Sequence, residues 1–95
     1  MVIAILTNMK VLAFTTSEEP TDENLDLLLL QLQERQIDYS LLDVVDVAHQ
    51  ATCQLYDITA TPAIVVCLDD GSPINIWQSK LPQADAVAYA LGNAI

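Results

Sequence analysis

Short apolar runs alternate with polar segments along this chain, and their lengths predict the order of its strands. The run at residues 10–15 is typical of a central strand. Residues 39–45 and 63–68 are predicted to be further buried strands, and residues 73–78 a strand that returns beside the preceding one. The pattern at residues 1–8 leaves two alternatives open, an extra N-terminal strand or a loose extension.

A leucine-rich segment predicts a helix over residues 20–36. Its leucines recur at intervals of three and four, which places them on one helical face that should pack on a sheet. Pro20 suits the first turn, where a missing N–H has no intrahelical partner to lose. Acidic residues crowd the same end, where the helix dipole favours negative charge. The leucines of this face are Leu25, Leu28, Leu29 and Leu32, flanked by Leu27 and Leu30, and the acids are Glu18, Glu19, Asp22, Glu23 and Asp26.

Two further helices are predicted later in the chain. Asp46 can cap a helix over residues 47–56, because its carboxylate can accept a hydrogen bond from the first turn. Leu81 and Pro82 open the last helix, and Gly92 can end it. The predicted packing faces are Ala48, Ala51, Thr52 and Leu55 in the first of these helices, and Val87, Ala90 and Leu91 in the second.

The predicted element order is β-α-β-α-β-β-α. The two βα crossovers imply a parallel pair of strands. Residues 69–72 form a hairpin turn signal, which implies an antiparallel pair after it. The predicted fold class is therefore α/β, with a mixed four-stranded sheet flanked by helices, and residues 1–95 are predicted to form a single domain.

Composition limits the partners that this domain can have. Apolar residues make up 53% of the chain, which is enough for a core, and 13 acidic against three basic residues give a formal net charge of −10. Nucleic acid and anionic membranes attract clustered lysine and arginine, so neither is expected as a partner. A basic partner is compatible with the charge. The apolar start lacks a basic segment and is short for a membrane span, so the chain is expected in the cytoplasm.

Cysteine and histidine are too few to suggest a metal site. Cys53 and Cys67 are far apart in the sequence, and His49 is the single histidine. A chain with this apolar content does not need a disulfide, so both thiols are expected to be reduced and buried. Neither a metal nor another cofactor is expected.

The segment from Tyr56 to Val66 joins a polar stretch to a β-branched run at Thr61 and Pro62. Proline has no N–H for a sheet ladder, so a strand can begin after Pro62 but cannot pass through it. A trans Pro62 would simply begin the strand. A cis Pro62 would instead turn the backbone of Ala60 and Thr61 outward, where a ligand could reach it.

The element order, with Thr-Pro directly before the third strand, resembles the thioredoxin-like fold. Residues 11–16 resemble the first strand of a glutaredoxin and the approach to its active loop. Residues 34–39 resemble the helix end and the Ile-Asp-Tyr that follow in glutaredoxins. Residues 56–63 resemble the segment that carries the cis-proline in thioredoxins and glutaredoxins, and the hairpin turn and Leu81-Pro82 fall where thioredoxins have theirs. The resemblance implies a thioredoxin-like domain.

The chain departs from that family where its chemistry resides. Aligning residues 14–16 with the family places Glu19, Pro20, Thr21 and Asp22 where a glutaredoxin has Cys-Pro-Tyr-Cys. Disulfide exchange requires a thiolate that attacks sulfur, and a carboxylate cannot do this. The reductase activity of the family is therefore not expected here, and the protein is interpreted as redox-inactive with no catalytic residue.

Three other interpretations remain open at this stage. The hydroxyls of Thr15, Thr16, Ser17 and Thr21 could serve a degenerate glutathione-dependent enzyme, although the neighbouring acids would repel anionic glutathione. The chain is also similar to the KaiB clock-protein family at residues 42–44 and 60–62, which implies an oligomerisation or regulatory module. The hairpin edge with Trp77 could serve such a role, and a monomer or weak homo-oligomer is expected.

The leading hypothesis is a binding module for a basic peptide or protein. The acidic loop after the first strand would face the segment before the third strand, and an extended peptide would pair with the backbone there. The predicted ligand-binding residues are Thr16, Glu19, Pro20, Asp22, Ala60, Thr61 and Pro62.

Overall fold

A computed structural model describes residues 9–20 and 22–92 of the chain, so the alternatives for residues 1–8 lie outside the described residues. Its elements follow the predicted order, with a short 3-10 turn at Val47–His49 before the second helix. The strands are β1 (Met9–Thr15), β2 (Ser40–Asp43), β3 (Ala63–Leu68) and β4 (Pro73–Gln78), and the helices are α1 (Glu23–Glu34), α2 (Gln50–Leu55) and α3 (Ala84–Ala90).

The four strands form one mixed sheet in the order β2-β1-β3-β4. β1 runs parallel to β2 and antiparallel to β3, and β4 runs antiparallel to β3. The α/β class and the mixed four-stranded sheet predicted from the sequence are thus confirmed. β3 and β4 have the predicted bounds because a tight turn and two apolar runs fix a hairpin locally.

Helix α1 begins later than its leucine pattern predicts. Asp22 accepts hydrogen bonds from the N–H groups of Asn24 and Leu25, so it is the N-cap and the helix starts at Glu23. Pro20 therefore lies outside the helix, which corrects the expected start. At the other end Gln36 has a positive φ of 61°, which stops the helical geometry. The four leucines predicted to be buried are buried.

Strand β2 is shorter and more exposed than predicted. The pattern over residues 39–45 indicated a buried strand, but only Ser40–Asp43 is a strand, and its first two residues are exposed. The reason is its position at the edge of the sheet, where β1 is its neighbour on one side. Leu41 is consequently 53% exposed.

The packing face predicted for the second helix is wrong. Of its residues, Ala48, Ala51 and Leu55 are exposed, whereas Cys53 and Tyr56 contact the core. The helix begins as a 3-10 turn, in which Asp46 accepts a hydrogen bond from the N–H of Ala48. A 3-10 helix has three residues per turn, whereas an α-helix has 3.6. The 3-10 turn therefore changes which residues of the following α-helix face the sheet.

Two clusters of apolar side chains lie on opposite faces of the sheet. α1 and α3 cover one face, and their buried residues pack on alternate residues of β1 and β3 such as Val11 and Ile64. The other face packs against α2 and the segments around it, with Phe14 and Val65 at its centre. In α3, Val87 is fully buried, and Gly92 with a φ of 79° follows the helix as predicted.

Candidate functional site

The acidic loop after β1 is held by hydrogen bonds to its own backbone and to β2. The Thr16 hydroxyl accepts a hydrogen bond from the N–H of Glu18 at 3.2 Å. The Asp22 carboxylate accepts the two N–H groups at the start of α1, at 2.8 and 3.1 Å. Asp22 therefore has a structural role as a helix cap, and Glu19 and Pro20 are exposed between these two anchors.

Asp43, at the end of β2, joins that strand to the acidic loop. Its carboxylate accepts hydrogen bonds from the N–H groups of Ser17 at 3.2 Å and Val45 at 3.1 Å. The hydrogen bond with the Ser17 side chain, followed by the one from Val45, lowers the pKa of Asp43. The ionised carboxylate is the form that holds the loop, so this contact is present at neutral pH.

Gln78, the last residue of β4, holds the segment before β3. Its side-chain oxygen accepts hydrogen bonds from the N–H groups of Thr59 at 2.8 Å and Ala60 at 3.1 Å. Its side-chain nitrogen donates to the carbonyl oxygen of Asp57 at 3.1 Å. One amide side chain therefore satisfies three backbone groups of a segment that has no regular secondary structure of its own.

The Thr61–Pro62 peptide bond is cis. The Pro62 carbonyl accepts a hydrogen bond from the N–H of Ser79 at 2.9 Å, which continues the β3–β4 pairing by one residue. Within the described part of the chain, the N–H and C=O of Thr61 take part in no hydrogen bond. Thr61 itself is half-buried.

A groove of about 1030 Å³ runs between α1 and the segment from Ser79 to Asp85. Among the predicted ligand-binding residues, Asp22 and Pro62 both line it. The structure thus brings the start of α1 and the start of β3 to one groove. The other predicted residues are not part of its lining, and these are Thr16, Glu19, Pro20, Ala60 and Thr61.

Both thiols lie away from this groove, in the cluster under α2. Cys67 is fully buried on β3, and Cys53 is half-buried in α2, where burial raises the pKa of its thiol. The described residues contain no group of three or more side chains that could hold a metal ion. Among those same residues, no helix combines the length and the apolar character needed to cross a membrane.

Sequence reasoning missed Asp43 and Gln78, which hold the two loops in place. Each is a polar residue at the end of an apolar strand, and this pattern has no specific meaning in a sequence. Their partners are distant along the chain, since Asp43 is 26 residues from Ser17 and Gln78 is 19 residues from Thr59. Only the assembled sheet brings these residues together.

Comparison with solved structures identifies the fold. A point mutant of thioredoxin from Halobacterium salinarum superposes with a TM-score of 0.67 and 19% identity, over 88% of this chain and 72% of that one. Thioredoxin 1 from Thermosipho africanus gives a TM-score of 0.60 and 14% identity, over 87% of this chain and 90% of that one. A designed protein gives 0.62 and 20%, over 90% and 74% of the two chains. The comparison with protein-family models finds no match to the sequence, and neither does the comparison with curated protein sequences.

Proposed function

Because the chain has a thioredoxin-like fold, we propose that it is a redox-inactive binding module of that fold, and that it binds an extended basic peptide. The peptide pairs with the backbone of Thr61, and the acidic loop between β1 and α1 selects its charge. The observation that carries the proposal is the position of Thr61, a half-buried residue before β3 whose N–H and C=O have no hydrogen bond among the described residues. Extended peptides commonly bind by adding main-chain hydrogen bonds of this kind.

Rigidity supports the proposal. Gln78 holds Thr59 and Ala60, and Ser79 holds Pro62, so the backbone is fixed on both sides of Thr61. A fixed backbone loses little conformational freedom when a peptide binds, and this preserves affinity. The segment is therefore a suitable template for an added strand.

The charges near the site favour a basic ligand. Glu18, Glu19 and Glu23 are exposed around the start of α1, and Asp22 lines the groove together with Pro62. Opposite charges in such positions steer association and increase its rate, and salt weakens the effect. A lysine-rich peptide should therefore bind more tightly at low ionic strength.

The same loop supports the absence of redox activity. Positions 19 and 22, where the resembling family has its two cysteines, are glutamate and aspartate. The two thiols of the chain are buried or half-buried on the other side of the sheet from α1. Thiol–disulfide exchange needs an accessible thiolate, but Cys67 is fully buried and burial raises the pKa of the half-buried Cys53, which disfavours its thiolate.

Fluorescence anisotropy tests the proposal with a fluorescein-labelled peptide of eight residues, alternating lysine and threonine. A peptide alternating glutamate and threonine is the charge control. We expect the lysine peptide to bind and the glutamate peptide not to bind. Methylation of single backbone nitrogens in the lysine peptide should weaken binding at some positions and leave others unchanged, because only some of its N–H groups face Thr61.

Two substitutions separate charge from structure. Asp22→Asn keeps a good helix cap but removes a negative charge from the groove. Asp46→Asn makes the same change at the remote cap before α2. We expect the first to weaken binding of the lysine peptide about two- to fivefold and the second to leave it unchanged. Equal effects, or no binding by wild-type protein at millimolar concentration, would rule the proposed function out.

A further inference from the structure

The two edges of the sheet are protected to different degrees against pairing with another chain. At one edge β2 has only four residues, with Asp38 shortly before it and Asp43 as its last residue. Shortness and charge both hinder an edge strand from accepting a further strand. At the other edge β4 has six residues, and residues 71–79 contain no charged side chain. The β4 edge therefore lacks the charges that protect the β2 edge.

Only the beginning of β4 is blocked. Pro73 has no N–H to donate, and the register shift between Val66 and Cys67 disturbs the pairing beside it. Residues 75–78 contain neither a proline nor a charge, and they pair one to one with β3. No described strand lies beyond β4. The second half of β4 is thus a regular strand at the edge of the sheet.

The backbone of Ile76 is directed away from β3. The Ser79 N–H donates to the Pro62 carbonyl at 2.9 Å, and successive residues of an antiparallel strand bond alternately to one side and to the other. By this alternation Ile76 and Gln78 direct their N–H groups to the outer edge. A strand added at this edge would therefore find main-chain groups that point toward it.

Ile76 also contributes exposed apolar surface to this edge. It lies beside Val65 of β3, which is fully buried, yet Ile76 itself is 39% exposed. Ile74 is exposed to the same extent. An added strand would cover this surface, because side chains that are neighbours across two strands pack against each other.

The charge distribution favours a second copy of this chain as the added strand. The formal net charge is −10, so two copies repel each other over most of their surface, but the β4 edge is neutral. A charged peptide would find no opposite charge along residues 71–79. Two copies can therefore approach each other at the edge that attracts a charged peptide least.

The charges that flank β4 are opposite at its two ends. Asp69 and Asp70 precede the strand, and Lys80 follows it. Lys80 stays at the end of the strand, because its N–H donates to the Gln78 carbonyl at 2.7 Å. Antiparallel pairing of two β4 strands directs the lysine of each copy toward the aspartates of the other, which is electrostatically favourable.

We propose that β4 pairs antiparallel with β4 of a second copy, about a two-fold axis at Ile76, and that the protein forms a homodimer in this way. The Ile76 N–H of each copy donates to the Ile76 carbonyl of the other, and Gln78 lies opposite Ile74 of the second copy. The two sheets join into one sheet of eight strands. Two-fold symmetry of this kind is the commonest symmetry of homodimers. The inference goes beyond the proposed function, because Thr61 takes no part in the pairing.

The dependence of mass on protein concentration is the first test. One strand from each copy buries less than the about 800 Å² per partner of a standard interface, so the dimer is weak. We expect light scattering to give the monomer mass at about 10 μM and a mass approaching that of a dimer at about 1 mM. A monomer mass throughout this range would overturn the proposal.

Amide hydrogen exchange, followed by NMR at the same two concentrations, locates the contact. Exchange of the Ile76 and Gln78 N–H groups should slow about threefold at the higher concentration, because these groups point to the second copy. The Trp77 N–H is directed to β3 and should exchange at the same rate at both concentrations. A dimer that protects another segment and leaves Ile76 unchanged would contradict the pairing of β4.

A lysine on each edge strand gives a matched pair of variants. Ile76→Lys places two like charges against each other at the two-fold axis and should leave the protein monomeric at about 1 mM. Leu41→Lys makes the same change in net charge on β2, where the leucine is 53% exposed, and should dimerise like the wild type. Circular dichroism shows whether both variants are folded. Loss of the dimer in both variants, or in Leu41→Lys alone, would overturn the proposal.

Substitution of Lys80 tests the orientation of the two strands. Lys80→Glu replaces an attraction to Asp69 and Asp70 of the second copy by a repulsion and should weaken the dimer about two- to fivefold. Lys10→Glu makes the same change in net charge at an exposed position on β1 and should have a smaller effect. Equal weakening by the two variants would show that net charge alone acts, and the antiparallel arrangement would be wrong.

Discussion

The two faces of the sheet share the same strands but are covered very differently. On the first face, α1 and α3 bury a large cluster that includes Leu32 and Val87, both without exposed surface. On the second face, a 3-10 turn and a helix of six residues cover a smaller cluster, and Leu55 of that helix is 65% exposed. The first face is covered by helices whose apolar residues recur with a regular period. The second face is covered by a few individual side-chain contacts.

One of these contacts is the hydrogen bond between Tyr56 and the hairpin. The Tyr56 hydroxyl donates to the carbonyl oxygen of Gly71 at 2.7 Å, so the residue after α2 is tied to the turn between β3 and β4. A Cβ at position 71 would lie 3.7 Å from this hydroxyl, and Gly71 has a φ of 96°. A glycine is therefore required by the backbone conformation and not by lack of space.

The largest effect should come from a truncation on the first face. Leu32→Ala removes a side chain with 0% exposure from the middle of the cluster and should lower the free energy of unfolding by about 2–5 kcal/mol. Leu55→Ala on the second face should cost less than about 0.5 kcal/mol, because that leucine is already largely in water. Urea denaturation of both variants measures the difference. Similar costs would mean that α2 is packed as tightly as α1.

A smaller effect is expected from the tyrosine of the second face. Tyr56→Phe keeps the ring and removes the hydrogen bond to Gly71, at a cost of about 0.5–1.5 kcal/mol. Burial, and then the hydrogen bond with Cys67, raises the pKa of Tyr56 to about 12. Its neutral form is thus favoured by folding, so this contribution is complete below pH ~10 and is lost as the pH rises toward 12.

Unfolding in urea at several pH values checks this prediction. The wild-type protein should lose stability between pH ~10 and ~12, and Tyr56→Phe should lose less over the same interval because phenylalanine has no proton to release. An identical decline in both proteins would show that other groups cause the alkaline loss.

Removing the helix cap on each face should produce a smaller difference in stability than the two truncations of leucine. Asp22→Ala removes two hydrogen bonds from the start of α1 and should cost about 1 kcal/mol. Asp46→Ala removes a single hydrogen bond from a three-residue turn and should cost less, about 0.5 kcal/mol. Thermal unfolding of the two variants ranks them. The reverse order would indicate that the second face depends on its cap more than the first face does.

The two thiols of the second face should not catalyse disulfide reduction. Wild-type protein, Cys53→Ser and Cys67→Ser should all leave the rate of insulin reduction by dithiothreitol at its value without protein. The reason is that both thiols belong to the cluster under α2 and neither lies at positions 19–22. Catalysis that disappears in one variant would assign a redox role to that cysteine and contradict the proposed function.

The first face was largely predictable from the sequence, and the second was not. The buried residues of α1 recur with a helical period, and these are Leu25, Leu28, Leu29 and Leu32. Such a period can be detected in a short stretch of sequence without knowledge of the fold. The face of α2 depends on where its 3-10 turn ends, which no local period encodes. β2 was mistaken for a buried strand because an apolar run does not reveal whether a strand has one neighbour or two.

The candidate site shows the same division. The sequence by itself determined the acidic residues at positions 19 and 22, the Thr-Pro before β3 and the element order that brings them to one end of the sheet. Only the tertiary structure decided that Gln78 and Asp43 hold the two loops, and that a groove runs from Pro62 along α1. The physical reason is that these features join residues distant in the chain. They exist only once the strands have paired, whereas periodicity, turn residues and charge are present before folding.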